Sequence, residues 1–218
     1  MPVRDPVRIA KPFVFALGML PILWLSWAFL IALGKLSPRV LNGGLGVNAP
    51  EFIRNFTGEW TLRLLVATLI VTPLRQITGW NSVIRFRRMI GLFAFFYSVV
   101  HFVTYLLLDV ALDMNAIVED VLKRPFITAG FLSFVLMIPL AVTSTKKWIA
   151  RLGGRRWQKL HWLIYPSAIA GVVHYYWKGN LHETPPLIYA AVFAVLLAYR
   201  VRKRMSKSSA HGASAAAR

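Results

Sequence analysis

Residues 87–108 read RRMIGLFAFFYSVVHFVTYLLL. From Met89 to Leu108 the run carries no formal charge, and about twenty such residues cross the ~30 Å hydrocarbon core of a bilayer as a helix. Two arginines precede it, Asp109 follows it, and one histidine, His101, lies inside it. An apolar run with basic flanks is a membrane pattern, and it repeats along the chain. Phe13–Leu33, Trp60–Leu74, Phe126–Thr143, His161–Trp177 and Pro186–Val201 are the other spans. The second is short and contains Arg63. The fourth follows Pro125, which suits a first helical turn, and the fifth contains Pro166. The expected fold is an all-α integral membrane protein, a six-transmembrane-helix bundle over residues 1–205. A Ser/Ala/Gly-rich cytoplasmic tail over 206–218 is expected to be disordered.

Composition agrees. Hydrophobic residues make up 57% of the 218 and charged residues 16%, against about 45–50% and about 25% in soluble domains. Mean hydropathy is +0.56, so an ordinary soluble enzyme is excluded. The net charge of +18 does not indicate nucleic acid, because the basic residues flank apolar runs. It indicates an orientation. Nineteen of the 26 Lys and Arg fall before the first span, between the second and third, between the fourth and fifth, and from Arg200 at the end of the sixth onward. Six fall in the alternate segments, with Arg63 inside a span. Both termini are therefore expected in the cytoplasm. The basic run Arg200–Lys207 is expected to touch anionic lipid. Six of the eight tryptophans stand near span ends, as in an interfacial belt. The first span is too long for a cleaved signal h-region and no A-x-A site follows it, so it is read as retained.

Seven of the eight acids, Glu51, Glu59, Asp109, Asp113, Glu119, Asp120 and Glu183, fall on the outer side, which makes that face locally acidic and a docking surface for a partner. No carboxylate lies within a span, which weakens a proton-coupled transporter. The absence of cysteine excludes disulfides, thiolate-ligated haem and iron–sulfur clusters. Histidine is the metal ligand that remains.

His101 lies about 18 Å into the third span and His174 about 21 Å into the fifth, at ~1.5 Å per residue. Both spans run outward, so the imidazoles reach matching depth in the outer half of the core. Two facing imidazoles can hold a haem iron from both sides. The competing reading is one hydrogen-bonded buried histidine per helix. His161, at the inner end of the fifth span, admits a second haem, a quinone, a flavin or an interfacial cap. No second histidine stands opposite it, because Arg87 and Arg88 occupy those positions of the third span. His182 and His211 are expected to be solvated. Arg63 is a candidate partner for a haem propionate, or else snorkels to the interface. Arg75, Arg88, Lys123 and Arg124 are alternative partners for a propionate or a flavin phosphate. Gly44–Ala49 matches G-x-G-x-x-A but lacks strand–helix context, so it is a chance match.

The stretches RRMIGLFAFFYSVVHFVTY (87–105), KRPFITAG (123–130) and RRWQKLHWLIY (155–165), with His174 beyond, resemble the MsrQ family. These are haem-binding membrane subunits of bacterial periplasmic methionine sulfoxide reductase systems, within the ferric-reductase-like transmembrane group. The resemblance implies a multi-pass protein of the bacterial inner membrane with b-type haem and with His101, His161 and His174 as functional histidines. It implies electrons from quinol or a cytosolic flavin reductase, passed to a periplasmic molybdopterin-containing reductase that repairs oxidised methionines. It also implies FMN, without assigning residues to it. The alternatives are a stand-alone haem ferric or quinone reductase, and a non-redox membrane transporter.

Overall fold

The computed structural model describes residues 6–34, 45, 48–179 and 184–216, with the side chains of Pro6, Thr184, Pro185, Arg204 and residues 207–216 left aside. His182, Glu183, three of the six residues of the Gly44–Ala49 match and the His211 side chain lie outside the described set. Nine α-helices are described: α1 (Pro6–Ala32), α2 (Ala49–Thr78), α3 (Arg87–Thr104), α4 (Met114–Lys123), α5 (Pro125–Val142), α6 (Lys146–Leu152), α7 (Gly154–Leu160), α8 (Ile164–Lys178) and α9 (Thr184–Ala216). There is no strand among the described residues. Val7–Ala32, Arg87–Asp109 and Pro125–Val142 are long and apolar enough to cross a membrane by length and composition.

The helix ends follow local chemistry. Asn48 caps α2 by accepting from the Glu51 N–H at 3.3 Å, with Pro50 in the first turn. Gly79 ends it in a left-handed conformation, φ 71°. The thirty residues of α2 extend well past both ends of the short span expected from its apolar centre. Polar residues at the helix ends carry the backbone beyond the apolar run. Asp113 caps α4, accepting from Asn115 and Ala116. The α9 helix runs on to Ala216, past the Met205 boundary that composition suggests. A helix nucleated upstream propagates readily through alanine.

Two antiparallel helix pairs, α2 with α3 and α5 with α8, make the centre of the bundle. Leu62, Leu65 and Leu69 of α2 meet Ala94 of α3, Met137 and Leu140 of α5, Ile164 and Ala168 of α8, and Phe193 of α9. In the second pair the buried Ser133 and Ser167 each donate to the other's carbonyl, at 2.8 and 3.0 Å. Outward positions are apolar too, for example Phe13, Leu20 and Leu23 of α1. A soluble surface would not carry that load. The Tyr97 hydroxyl of α3 sits inside the α1 ladder, accepting from Ile22 N–H at 3.0 Å and donating to the Gly18 carbonyl at 2.9 Å. Gly18 permits this approach, since a Cβ there would stand 2.5 Å from the Phe93 ring.

After α3 the chain makes one π-type turn, Tyr105–Asp109, and then passes through two left-handed residues, Ala111 (φ 46°) and Leu112 (φ 62°). That reversal sends α4 back across the end of the bundle. Ala116, Ile117, Asp120 and Val121 of α4 face a cavity, while Met114, Val118 and Leu122, spaced by four, stay exposed.

Candidate functional site

The cavity lies between the two helix pairs and holds about 740 Å³, within the usual range for a cofactor of several hundred cubic ångströms. His101 of α3 and His174 of α8 project into it from opposite pairs. Their ring centroids are 6.0 Å apart and their planes cross at 77°. Two imidazoles on opposite sides of one metal, each bonded at about 2 Å through a ring nitrogen about 1 Å from its centroid, stand about 6 Å apart. The pair matches that requirement.

The second nitrogen of each ring is already committed. His101 Nδ1 lies 3.0 Å from the Arg54 carbonyl, and His174 Nδ1 lies 2.6 Å from the Phe126 carbonyl. A carbonyl can only accept, so each Nδ1 carries the proton and each Nε2 keeps its lone pair. This is how a metal-bound histidine is oriented in proteins. The two locks share one design. Four residues beyond each carbonyl stands a glycine, Gly58 on α2 and Gly130 on α5, and each glycine lies against the ring. A Cβ at Gly58 would come 3.1 Å from His101 Cε1, and one at Gly130 would come 2.7 Å from His174 Nδ1. The helices can approach the imidazoles this closely only because neither position has a side chain. A planar group with an iron centre therefore fits the residues present.

Charged groups gather at the mouth of the cavity. Arg54 pairs with Asp109, Arg124 with Asp120 at 3.2 Å, and Lys178 donates to Asn55. Tyr105 donates to Asp120 at 3.0 Å. Arg54, Arg124 and Lys178 all line the cavity and suit acidic edge groups. Lys123 and Glu119 pair outside it at 2.7 Å. The local acidity expected at this end is thus largely neutralised by neighbouring cations. Charge counting along the chain could not show this, because Arg54 and Asp109 are 55 residues apart.

The remaining sequence candidates are placed elsewhere. Arg63 pairs with Glu59 at 2.5 Å and lies over Trp60, outside the cavity. Arg88 is exposed at the start of α3, near the far end of the bundle. His161 is also at that end, stacked on Trp157 at 3.8 Å between centroids, with Nδ1 donating to the Trp157 carbonyl at 3.1 Å. Its Nε2 lies 3.5 Å from the Ser144 hydroxyl. No cluster of three or more His, Cys, Asp or Glu capable of holding a metal ion occurs among the described residues.

Residues 57–172 match the family model described as ferric reductase like transmembrane component, a stretch that includes His101, Gly58, Gly130 and the whole of α3 and α5 and ends two residues before His174. Three similar proteins each bear the name protein-methionine-sulfoxide reductase heme-binding subunit MsrQ. That of Herminiimonas arsenicoxydans is 50% identical over 188 residues, 85% of this chain and 86% of its own. That of Ralstonia nicotianae is 56% identical over 158 residues, 72% and 73% of the two chains. That of Xanthomonas axonopodis pv. citri is 46% identical over 205 residues, 92% and 89%. The chain belongs to the MsrQ family.

Proposed function

We propose that this chain is the haem-binding, electron-carrying membrane subunit of a methionine sulfoxide reductase system. The observation that carries the reading is the imidazole pair: 6.0 Å between centroids, both Nδ1 atoms bonded to carbonyls and both Nε2 atoms bare, in a cavity large enough for a macrocycle. The MsrQ relatives are named haem-binding subunits. With no cysteine in the chain, covalent c-type attachment and thiolate ligation are both excluded, which leaves a non-covalent haem, and the family resemblance implies haem b. When bound, it supplies one-electron chemistry at iron. His101 and His174 would hold the iron from both sides, which suits electron relay over the binding of oxygen or substrate. Arg54, Arg124 and Lys178, which line the cavity, would hold the propionate edge at the mouth. Glycine at 58 and 130 lets both rings seat.

The cavity end faces the periplasm and both termini face the cytoplasm of the bacterial inner membrane, a reading supported by the distribution of lysine and arginine. Electrons enter at the opposite end, from quinol or a cytosolic flavin reductase. His161 lies 13 residues from His174 along the chain, about 20 Å of helix, and a second haem, FMN or quinone there would bridge the gap. They leave to a periplasmic molybdopterin-containing reductase. The ferric-reductase-like match supports one rival, direct reduction of iron by this chain alone.

Vesicles containing the haem-loaded full chain separate these readings. With reductant sealed inside and the sulfoxide reductase subunit outside, methionine sulfoxide should be consumed only when the chain is present with its cavity end outward. A haem reduced on schedule that passes nothing to the subunit would refute the relay, and rapid reduction of an external ferric chelate without it would favour the rival.

A further inference from the structure

The two imidazole locks share a carbonyl and a glycine but differ in the residue just before the glycine. Three positions after Arg54 stands Thr57, and three positions after Phe126 stands Ala129. Thr57 is fully buried and lies outside the cavity lining. It meets the site only through His101, with its Oγ1 3.5 Å from Nδ1.

A hydroxyl inside a helix ordinarily donates to the carbonyl four residues back. Thr68 does so to Leu64 and Thr104 to Val100, both at 2.8 Å. Thr57 makes the same bond to the Ile53 carbonyl at 2.8 Å, but it also stands 3.1 Å from the Arg54 carbonyl. That oxygen is the one that accepts the His101 Nδ1–H at 3.0 Å. The direct approach of Oγ1 to Nδ1 exceeds the ~3.2 Å limit of an ordinary N–H···O bond, so the hydroxyl acts on the ring through the shared carbonyl. A second donor on that oxygen draws off part of its charge and weakens its pull on the imidazole proton. On the other side Ala129 brings no hydroxyl, and His174 Nδ1 lies closer to its carbonyl, at 2.6 Å. The harder a carbonyl pulls on Nδ1–H, the more basic Nε2 becomes as a ligand. A more basic ligand favours the oxidised metal and lowers its potential, and hydrogen bonding around the ligands is one of the protein's levers on that potential.

We infer that Thr57 is a positioning residue for electron transfer: its hydroxyl, shared between the Ile53 and Arg54 carbonyls, restrains the donor strength of His101 and so raises the midpoint potential of the group held by His101 and His174. The inference rests on the haem reading above and adds to it a residue that sets which donors can load the electron.

The test is a potentiometric titration of the haem-loaded full chain, followed by its absorption spectrum. Thr57→Val keeps the branched buried shape and removes the hydroxyl, and Thr57→Ala copies the other lock. Both should bind haem with the wild-type low-spin spectrum and titrate at lower potential. The oxidised-to-reduced ratio at a fixed poise should rise about threefold to tenfold, the scale of one net hydrogen bond. At the upper end that is the 59 mV per decade of a one-electron couple. Thr57→Ser, which restores the hydroxyl, should titrate with the wild type, and so should Thr68→Val, which removes an ordinary helical hydroxyl from the same helix. An unchanged or raised potential in Thr57→Val and Thr57→Ala overturns the inference. A shift of equal size in Thr57→Ser or Thr68→Val overturns it too, because the hydroxyl on the Arg54 carbonyl would not be the cause. Loss of haem from both Thr57→Val and Thr57→Ala also refutes it, since Thr57 would then be structural. A wild-type chain that loads no haem refutes the haem reading itself, whereas a loaded haem with an unmoved potential refutes the role of Thr57 alone.

Discussion

Alanine at His101 or at His174 is expected to remove most of the low-spin haem signal of the purified chain, while the protein still inserts and remains helical. Each ring supplies one axial nitrogen, and nothing nearby replaces it. The chain has no cysteine. Met137 lines the same cavity but stands seven residues along α5 from Gly130, about 10 Å of helix, which is too far to take over either position. Loss of one ligand should therefore leave an open iron site or an empty cavity, with a high-spin spectrum or none. The corresponding His161 variant should keep the spectrum of the cavity haem, since that ring stacks on Trp157 at the opposite end. Visible absorption of the three variants at equal protein concentration checks this. A wild-type spectrum in both cavity variants would rule out the ligand assignment.

A single methyl group at Gly130 should be nearly as damaging. Its Cβ would lie 2.7 Å from His174 Nδ1 and 3.0 Å from Cγ and Cε1. The ring cannot retreat without breaking the 2.6 Å bond to the Phe126 carbonyl, which fixes its tautomer. Overpacking of this kind typically costs about 1–3 kcal/mol. Added to the loss of ring orientation, this should weaken haem binding at least about tenfold and shift the spectrum. Gly58→Ala is the graded comparison. Its Cβ would meet His101 at 3.1 Å, so a small ring displacement relieves it and the effect should be milder. Haem titration of the apo chain, with electron paramagnetic resonance on the loaded samples, measures both. Equal, wild-type affinities would show that the glycines merely fill space.

How far these features were legible in the sequence depends on the range of the signal. Apolar runs are local, and Met89–Leu108 and Phe126–Thr143 correspond closely to the long apolar helices Arg87–Asp109 and Pro125–Val142. The shorter second run hid a thirty-residue helix, because its polar ends carry no hydropathy signal. Depth counting brought His101 and His174 to one level, since rise per residue is nearly constant in helices, and the structure places the rings together. What depth counting cannot see is rotation and neighbours. Gly58 and Arg54 meet His101 across more than forty residues of chain, and Gly130 and Phe126 likewise meet His174. Arg63 looked suited to a propionate on grounds of depth, yet its helix face turns it toward Glu59 and Tyr189. Lys178 went unread as a site residue, although it follows His174 by four residues and hence lies on the same face one turn further out.

One reduced-minus-oxidised spectrum of the full-length chain, with a pyridine haemochrome count, tests the central assignment most directly. The account predicts non-covalent haem b at one or more per chain, with the sharp α and β bands of bis-imidazole iron, and loss of one equivalent in a His101→Ala, His174→Ala double variant. A folded, membrane-inserted chain that supports sulfoxide reduction at full rate while remaining colourless would contradict it.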